Sequence, residues 1–300
     1  LLKQIDASVE QRAAKWQRDT SSPEKYAASV EPNRQRLARF IGAVDERVPF
    51  DAPEVVAAVG QSAVLERNDR FEVMAIRWPV FGDIYGEGLL LTPRDGRPVA
   101  DIVAIPDADV TPEQLAGLEA GVPAESQYAR RLAERGCRVI VPMLINRQSD
   151  GLVGQPREHK LTNRELLYRS AFEMGRHLIG YEVQKVLAAV DWFTRDAGKD
   201  DPKIGVIGWG EGGLLALHAT AIDQRIDVAC VSGYFDSRQK VWNETLDRNV
   251  FHRLDEFGDA EVASLIAPRV LVVEACRGVE FEVPSGTGGG PGRLATPDLR

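Results

Sequence analysis

Between residues 71 and 275 the chain alternates short apolar runs with amphipathic segments of helical length. That alternation restricts it to folds in which parallel strands are joined by helical crossovers. The apolar runs ADIVAIP (100–106), CRVIVPMLI (137–145), KIGVIG (203–208), VACVSG (228–233) and RVLVVEA (269–275) each have the length of one buried strand. Ahead of them FEVMAIRWPV (71–80) and GEGLLLTP (86–93), split by the turn-forming Gly82-Asp83, read as an antiparallel hairpin. Strands are expected near 71–79, 86–92, 100–105, 137–143, 203–208, 227–232 and 269–275. The helix that precedes KIGVIG carries Ile179, Val183, Val186, Leu187, Val190 and Phe193 at three- and four-residue steps, which gives it one apolar stripe to lay on the sheet. The expected fold class is therefore α/β, a mostly parallel central sheet with helices on both faces.

The flanks differ in character. Residues 1–46 are polar and helix-prone, in two segments, LLKQIDASVEQRAAKWQ and PNRQRLARFIGAV, separated by Ser21-Ser22-Pro23; they read as an N-terminal helical extension. Residues 47–282 form the α/β domain. Residues 283–300, with Gly-Gly-Gly-Pro-Gly at their centre, have the composition of a flexible segment.

Composition narrows the partners. Lys and Arg number 37 against 45 Asp and Glu, a net charge of −8, which argues against nucleic acid or a polybasic membrane patch. No run approaches the roughly 18–20 apolar residues of a membrane span. Four histidines, at 159, 177, 218 and 252, have no metal-ligand spacing, and three cysteines, 137, 230 and 276, lie in or beside apolar runs where they read as small buried hydrophobes. Neither metal nor cofactor is expected, and a small molecule is the expected partner.

The chemistry concentrates in Ile204–Gly213, IGVIGWGEGG, a glycine-rich turn between a strand and a helix. Two readings fit. As a nucleophile elbow, G-x-Nuc-x-G, Gly208 and Gly212 are the small flanks and Gly210 occupies the nucleophile position. As a dinucleotide fingerprint, Gly208-x-Gly210-x-x-Gly213 would present backbone amides to a pyrophosphate. The glycines cannot decide between them, but their place can. A dinucleotide fingerprint follows the first strand with an acid about 20 residues on, whereas here four strands precede it and the first acid beyond VACVSG is Asp236.

With its opening hairpin, its elbow after the fifth strand, the helix ending in AVDWF and the lead-in LIAPRVLVVEA, the stretch 71–276 resembles the dienelactone hydrolase and acetyl xylan esterase-like branch of the α/β-hydrolases. The resemblance implies carboxylic-ester hydrolysis, on a carbohydrate acetyl ester or a dienelactone-type ester. It implies a Ser or Cys where this chain has Gly210, which has no side chain to attack a carbonyl. It places the triad acid at Glu274, or at Glu280 if the strand runs longer, and the base histidine and last strand beyond Arg300; Glu274 reads equally as a buried, hydrogen-bonded strand-end carboxylate. The amide of Glu211 would help form the oxyanion hole with the loop Asp107-Ala108-Asp109. The Glu211 carboxylate would oppose an oxyanion there, acting as a general acid or base or merely favouring the helix dipole. Trp209 beside the apex, and Arg147 and His159 in the polar loop 146–165, are candidates for touching substrate, although a solvated loop is the plainer reading. Ser232 reads as a turn serine. Activity altered or lost at the elbow, a non-catalytic binding protein and, remotely, a dinucleotide-binding protein remain the competing expectations.

Overall fold

The computed structural model describes residues 2–58, 60, 62–149 and 161–298. The extension folds as α1 (Leu2–Arg12) and α2 (Pro23–Ile41), and the domain follows as β1 (Glu54–Val55), β2 (Val64–Arg67), β3 (Phe71–Phe81), β4 (Ile84–Pro93), β5 (Asp101–Ile105), α3 (Pro112–Ala116), α4 (Tyr128–Ala133) and β6 (Arg138–Pro142). Then come α5 (Asn163–Glu173), α6 (Leu178–Ala197), β7 (Ile204–Trp209), α7 (Glu211–Ile222), β8 (Val228–Ser232), α8 (Asp259–Ser264), β9 (Val270–Glu274), β10 (Phe281–Val283) and β11 (Gly292–Leu294). All seven expected strands are present, with bounds within two residues of those read from the sequence.

The main sheet runs β1-β3-β4-β6-β5-β7-β8-β9, with β2 also on β3. Its first part is antiparallel, through β4 on β6, and β6, β5, β7, β8 and β9 are parallel. One face is covered by α2, α6, α7 and α8 through residues such as Leu37, Val186, Leu215 and Val262; the other meets α3 and α4 through Leu115, Ala116, Ala129 and Ala133. The whole apolar stripe of α6 is buried. Each such side chain contributes about 1.5–3 kcal/mol on leaving water, more than any difference in helix propensity among ordinary residues, so packing holds this helix.

Three departures from the sequence reading have local causes. Helix α2 starts at Pro23 rather than Pro32. The Ser22 side chain caps the Lys25 amide and Pro23 takes the first helical position, a combination favouring initiation there even with Pro32 inside the helix. Strand β9 is at the sheet edge with Val270 and Val272 about half exposed, so among the described residues its faces lack the cover the other parallel strands have. The Gly- and Pro-rich segment, expected as flexible, folds back so that β10 pairs antiparallel with β11, with Val283 and Leu294 buried.

The extension docks far along the chain. Arg12 Nε donates to the Leu254 carbonyl at 2.8 Å, Trp16 Nε1 to the Glu256 carbonyl at 3.3 Å, and the Tyr26 hydroxyl to the Ser264 carbonyl at 2.8 Å. Asn33 Nδ2 and Arg36 Nε both donate to the Glu256 carboxylate.

Candidate functional site

The turn after β7 has the geometry of an elbow. Gly210 sits at φ 61°, ψ −117°, a region that L side chains rarely enter. Gly208 and Gly212 let strand and helix close on each other: a Cβ on Gly208 would lie 2.1 Å from the Gly212 carbonyl carbon. At the apex itself, a Cβ on Gly210 would stand 2.4 Å from Val279 Cγ2 and 2.6 Å from Asp107 Oδ1. The space a nucleophile would use is filled by two other side chains.

Asp107, just beyond β5, is brought to the elbow as expected, but by its side chain. Its Oδ1 accepts the Glu211 amide at 2.9 Å, the N–H that the sequence reading assigned to an oxyanion hole. Arg147 Nη1 donates to Asp107 Oδ2 at 2.6 Å and Nη2 to Oδ1 at 3.2 Å. Burial would raise the Asp107 pKa; the charge and hydrogen bonds of Arg147 outweigh it and hold the carboxyl below its usual range. Ala108 is buried, while Asp109 accepts the Arg147 amide at 2.9 Å and an Arg147 side-chain N–H at 3.1 Å.

Glu211 is turned away from the apex into a cage of guanidinium groups. Its Oε1 accepts from Arg164 Nη2 at 3.0 Å, and its Oε2 accepts from Arg147 Nη2 at 3.1 Å and from Arg248 Nε and Nη2 at 3.0 and 2.9 Å. Desolvation opposes the charged form, yet Arg248, Arg164 and Arg147 together keep the carboxyl far below the usual glutamate value. A carboxylate held this way stays charged near neutral pH, so its placement speaks against the acid–base role, while its charge at the first turn of α7 still favours the helix dipole. Nor is Arg147 solvated: it is 4% exposed. His159 lies outside the described residues.

Sequence reasoning missed Arg164, Glu182, Asp247 and Arg248. Arg164 donates to Asp247 at 2.7 Å, to both Glu182 oxygens at 3.0 and 2.9 Å, and to the Ile145 carbonyl at 2.9 Å, linking the end of β6 to α5, α6 and the segment after β8. One signal was present. Glu182 falls between Ile179, Val183 and Val186 on the buried side of α6, where an acid needs a cationic partner.

Beside the elbow opens a cavity of about 670 Å³ at the carboxyl ends of β5, β7, β8 and β9, lined by Trp209, Tyr128, Leu115, Ser232, Glu274 and Cys276 among others. This is where open α/β sheets receive ligands. Trp209 Nε1 donates to the Arg277 carbonyl at 2.9 Å, fixing the indole on the wall. Glu274 ends β9 and is exposed, not buried; it accepts the Ser232 hydroxyl at 2.5 Å, so Ser232 is paired across two strands rather than free in a turn. Cys137 is buried as expected, whereas Cys230 and Cys276 are partly exposed and line the cavity. Among the described residues no cluster of His, Cys, Asp and Glu has the arrangement to hold a metal, and no helix is long and apolar enough to cross a membrane. At the N-terminus of α7 the carboxylate of Asp107 stands where a pyrophosphate would bind, which speaks against the dinucleotide reading.

Comparison with known proteins agrees with this architecture. Residues 103–250 match the dienelactone hydrolase family. A segment making up 34% of the chain is 30% identical to YtaP of Bacillus subtilis (strain 168), assigned as a hydrolase, over 110 residues; the match spans 36% of that relative's length. Among solved structures, a protein of Bacteroides fragilis NCTC 9343 assigned as an acetyl xylan esterase superposes with TM-score 0.63 at 15% identity, covering 84% of this chain and 68% of the other. A glucuronoyl esterase from Solibacter usitatus superposes with TM-score 0.51 at 14% identity, covering 82% and 74%. At such identities the structural likeness establishes the fold.

Proposed function

This chain is an α/β-hydrolase carrying a dienelactone hydrolase family domain, and from that premise we propose that it is an esterase-like protein that binds small carboxylic-ester or carbohydrate-ester ligands without using its elbow as a nucleophile. One observation carries the reading: the Asp107 carboxylate occupies the Glu211 amide directly over an apex with no side chain. In ester hydrolysis the amide after the nucleophile stabilises negative charge developing on the carbonyl oxygen, and losing one such donor costs about 10²–10³ in rate. Here that donor is already satisfied by an anion, and the attacking atom is missing as well. The ligand class rests on the family and on the cavity, whose wall is mostly apolar with polar groups such as Ser126, Ser232 and Glu274 in its lining.

The test is direct. Serine-directed fluorophosphonate probes should label no residue, while a small acetate ester should quench the fluorescence of Trp209, measured against Trp209→Phe. Stoichiometric labelling of any serine, Ser232 included, would show that conventional acyl-enzyme chemistry operates and would overturn the reading.

A further inference from the structure

The cavity carries its own nucleophilic cluster, on the ends of β8 and β9 rather than at the elbow apex. Ser232 closes β8 and Glu274 closes β9, and the two are direct neighbours in the parallel register, so their side chains rise from the same face. Cys276, two residues after Glu274, reaches the same point: Ser232 Oγ lies 2.5 Å from Glu274 Oε2 and 3.2 Å from Cys276 Sγ. All three line the cavity of about 670 Å³. The hydroxyl donates to the carboxylate and can accept from the thiol, which makes a continuous path for a proton from sulfur to Glu274. Resting on the reading that the elbow is silent, we propose that Cys276 is an acyl-accepting thiol, with Ser232 and Glu274 as the groups that take up its proton.

The step balances without any further reactant. The Cys276 sulfur adds to the carbonyl carbon of an ester bound in the cavity, the thiol proton passes to Ser232 Oγ, and the Ser232 proton passes to Glu274. Collapse of the adduct breaks the ester C–O bond; the departing alkoxide takes the proton from Glu274 and leaves as the alcohol, with the acyl group held on sulfur as a thioester. The wall around the cluster, with Val110, Leu115, Val122, Tyr128, Ile207 and Trp209, fits a mostly apolar acyl group. Three carboxylates in the lining, Asp107, Glu125 and Glu274, against one guanidinium, Arg277, disfavour an anionic one.

The whole chain is incubated with p-nitrophenyl acetate, and both nitrophenolate release and intact mass are followed. The expected result is one acetyl group per chain, mapped to Cys276 and removable by hydroxylamine. Cys276→Ser should lose the label while keeping the fold by circular dichroism. Glu274→Gln and Ser232→Ala should slow acylation by roughly 10²-fold. Glu274→Asp, which keeps a carboxylate, should restore part of the rate that Glu274→Gln loses, a rescue that a merely structural role would not produce. Cys137→Ala, a change far from the cavity, should leave the rate unaltered. Absence of label while a disulfide reagent modifies Cys276, or a label carried instead by Cys230, would overturn the proposal and leave the silent elbow standing. Sustained ester turnover in Cys276→Ser would overturn both.

Discussion

The Oδ1 of Asp107 accepts the backbone N–H of Glu211 at 2.9 Å, so the first amide of α7 is paired with a carboxylate of the same chain. The pair closes the elbow electrostatically, Val279 closes it sterically, and the arginines behind Glu211 fix the arrangement.

Gly210→Ser should not create an esterase. The new Cβ would meet Val279 and Asp107 at 2.4 and 2.6 Å in a backbone region that costs an L residue about 1–3 kcal/mol. A lowered melting temperature with no hydrolysis of p-nitrophenyl acetate beyond that of the parent is the expected outcome. Serine-dependent turnover would show that the Glu211 amide can exchange Asp107 for an oxyanion.

Glu211→Gln should be strongly destabilising, by about 3–5 kcal/mol, because it leaves buried arginines without their shared counter-charge. The folded pKa of Glu211 lies below the ordinary 4.5, so its contribution is present above that pH and is lost as pH falls below it. Urea titrations at pH 7 and pH 3.5 should therefore show a smaller gap between parent and variant at the lower pH. A constant gap would mean that the carboxylate is not charged in the folded state.

His218 gives a second acid limb at higher pH. The ring is buried in α7, with Nδ1 on the Leu214 carbonyl at 2.8 Å, and burial, reinforced by the charge of Arg253, pushes its pKa down to about 3. The unfolded chain, with an ordinary value near 6.5, then binds the extra proton. Stability should fall from pH 6.5 toward 3, at up to about 1.4 kcal/mol per pH unit from this group. In His218→Leu that part of the dependence should vanish, as read from denaturation midpoints at pH 7, 6 and 5; an unchanged slope would assign it elsewhere.

Glu256→Ala should loosen the N-terminal extension, since the buried carboxylate receives both Asn33 and Arg36. Losing it strands those donors, at a cost of about 1–3 kcal/mol. Limited proteolysis between α1 and α2 should accelerate before the domain itself is cut. Cleavage at the parent rate would show that the apolar contacts of Trp16 and Leu37 suffice.

The fold was legible because it depends on patterns that survive in one dimension: apolar runs of strand length, the stripe on α6 and the small residues of the turn at 208–213. The site was legible only in part. Asp107, Trp209, Gly210, Glu211 and Glu274 were picked out by their positions on the strand ends, but not the direction in which their side chains point. The resemblance set the Glu211 amide toward an oxyanion and the carboxylate against it, but gave no sign that the carboxylate meets Arg147, Arg164 and Arg248 from three separate segments. Arginines in polar loops look alike in a sequence whether they face water or a buried acid. Only Glu182, misplaced on an apolar stripe, betrayed that a cation had to be near.

The docking of α1 and α2 onto residues 254–264 also sets an order of events during synthesis. Asn33 waits for Glu256, 223 residues later, and at ribosomal rates of about 5–20 residues per second that interval is roughly 10–45 s. Throughout it Trp16, buried in the finished protein against Phe257 and the Glu256 carbonyl, lacks those partners. The docking of the first helical turns is therefore a late event, completed only when nearly the whole parallel sheet has been made.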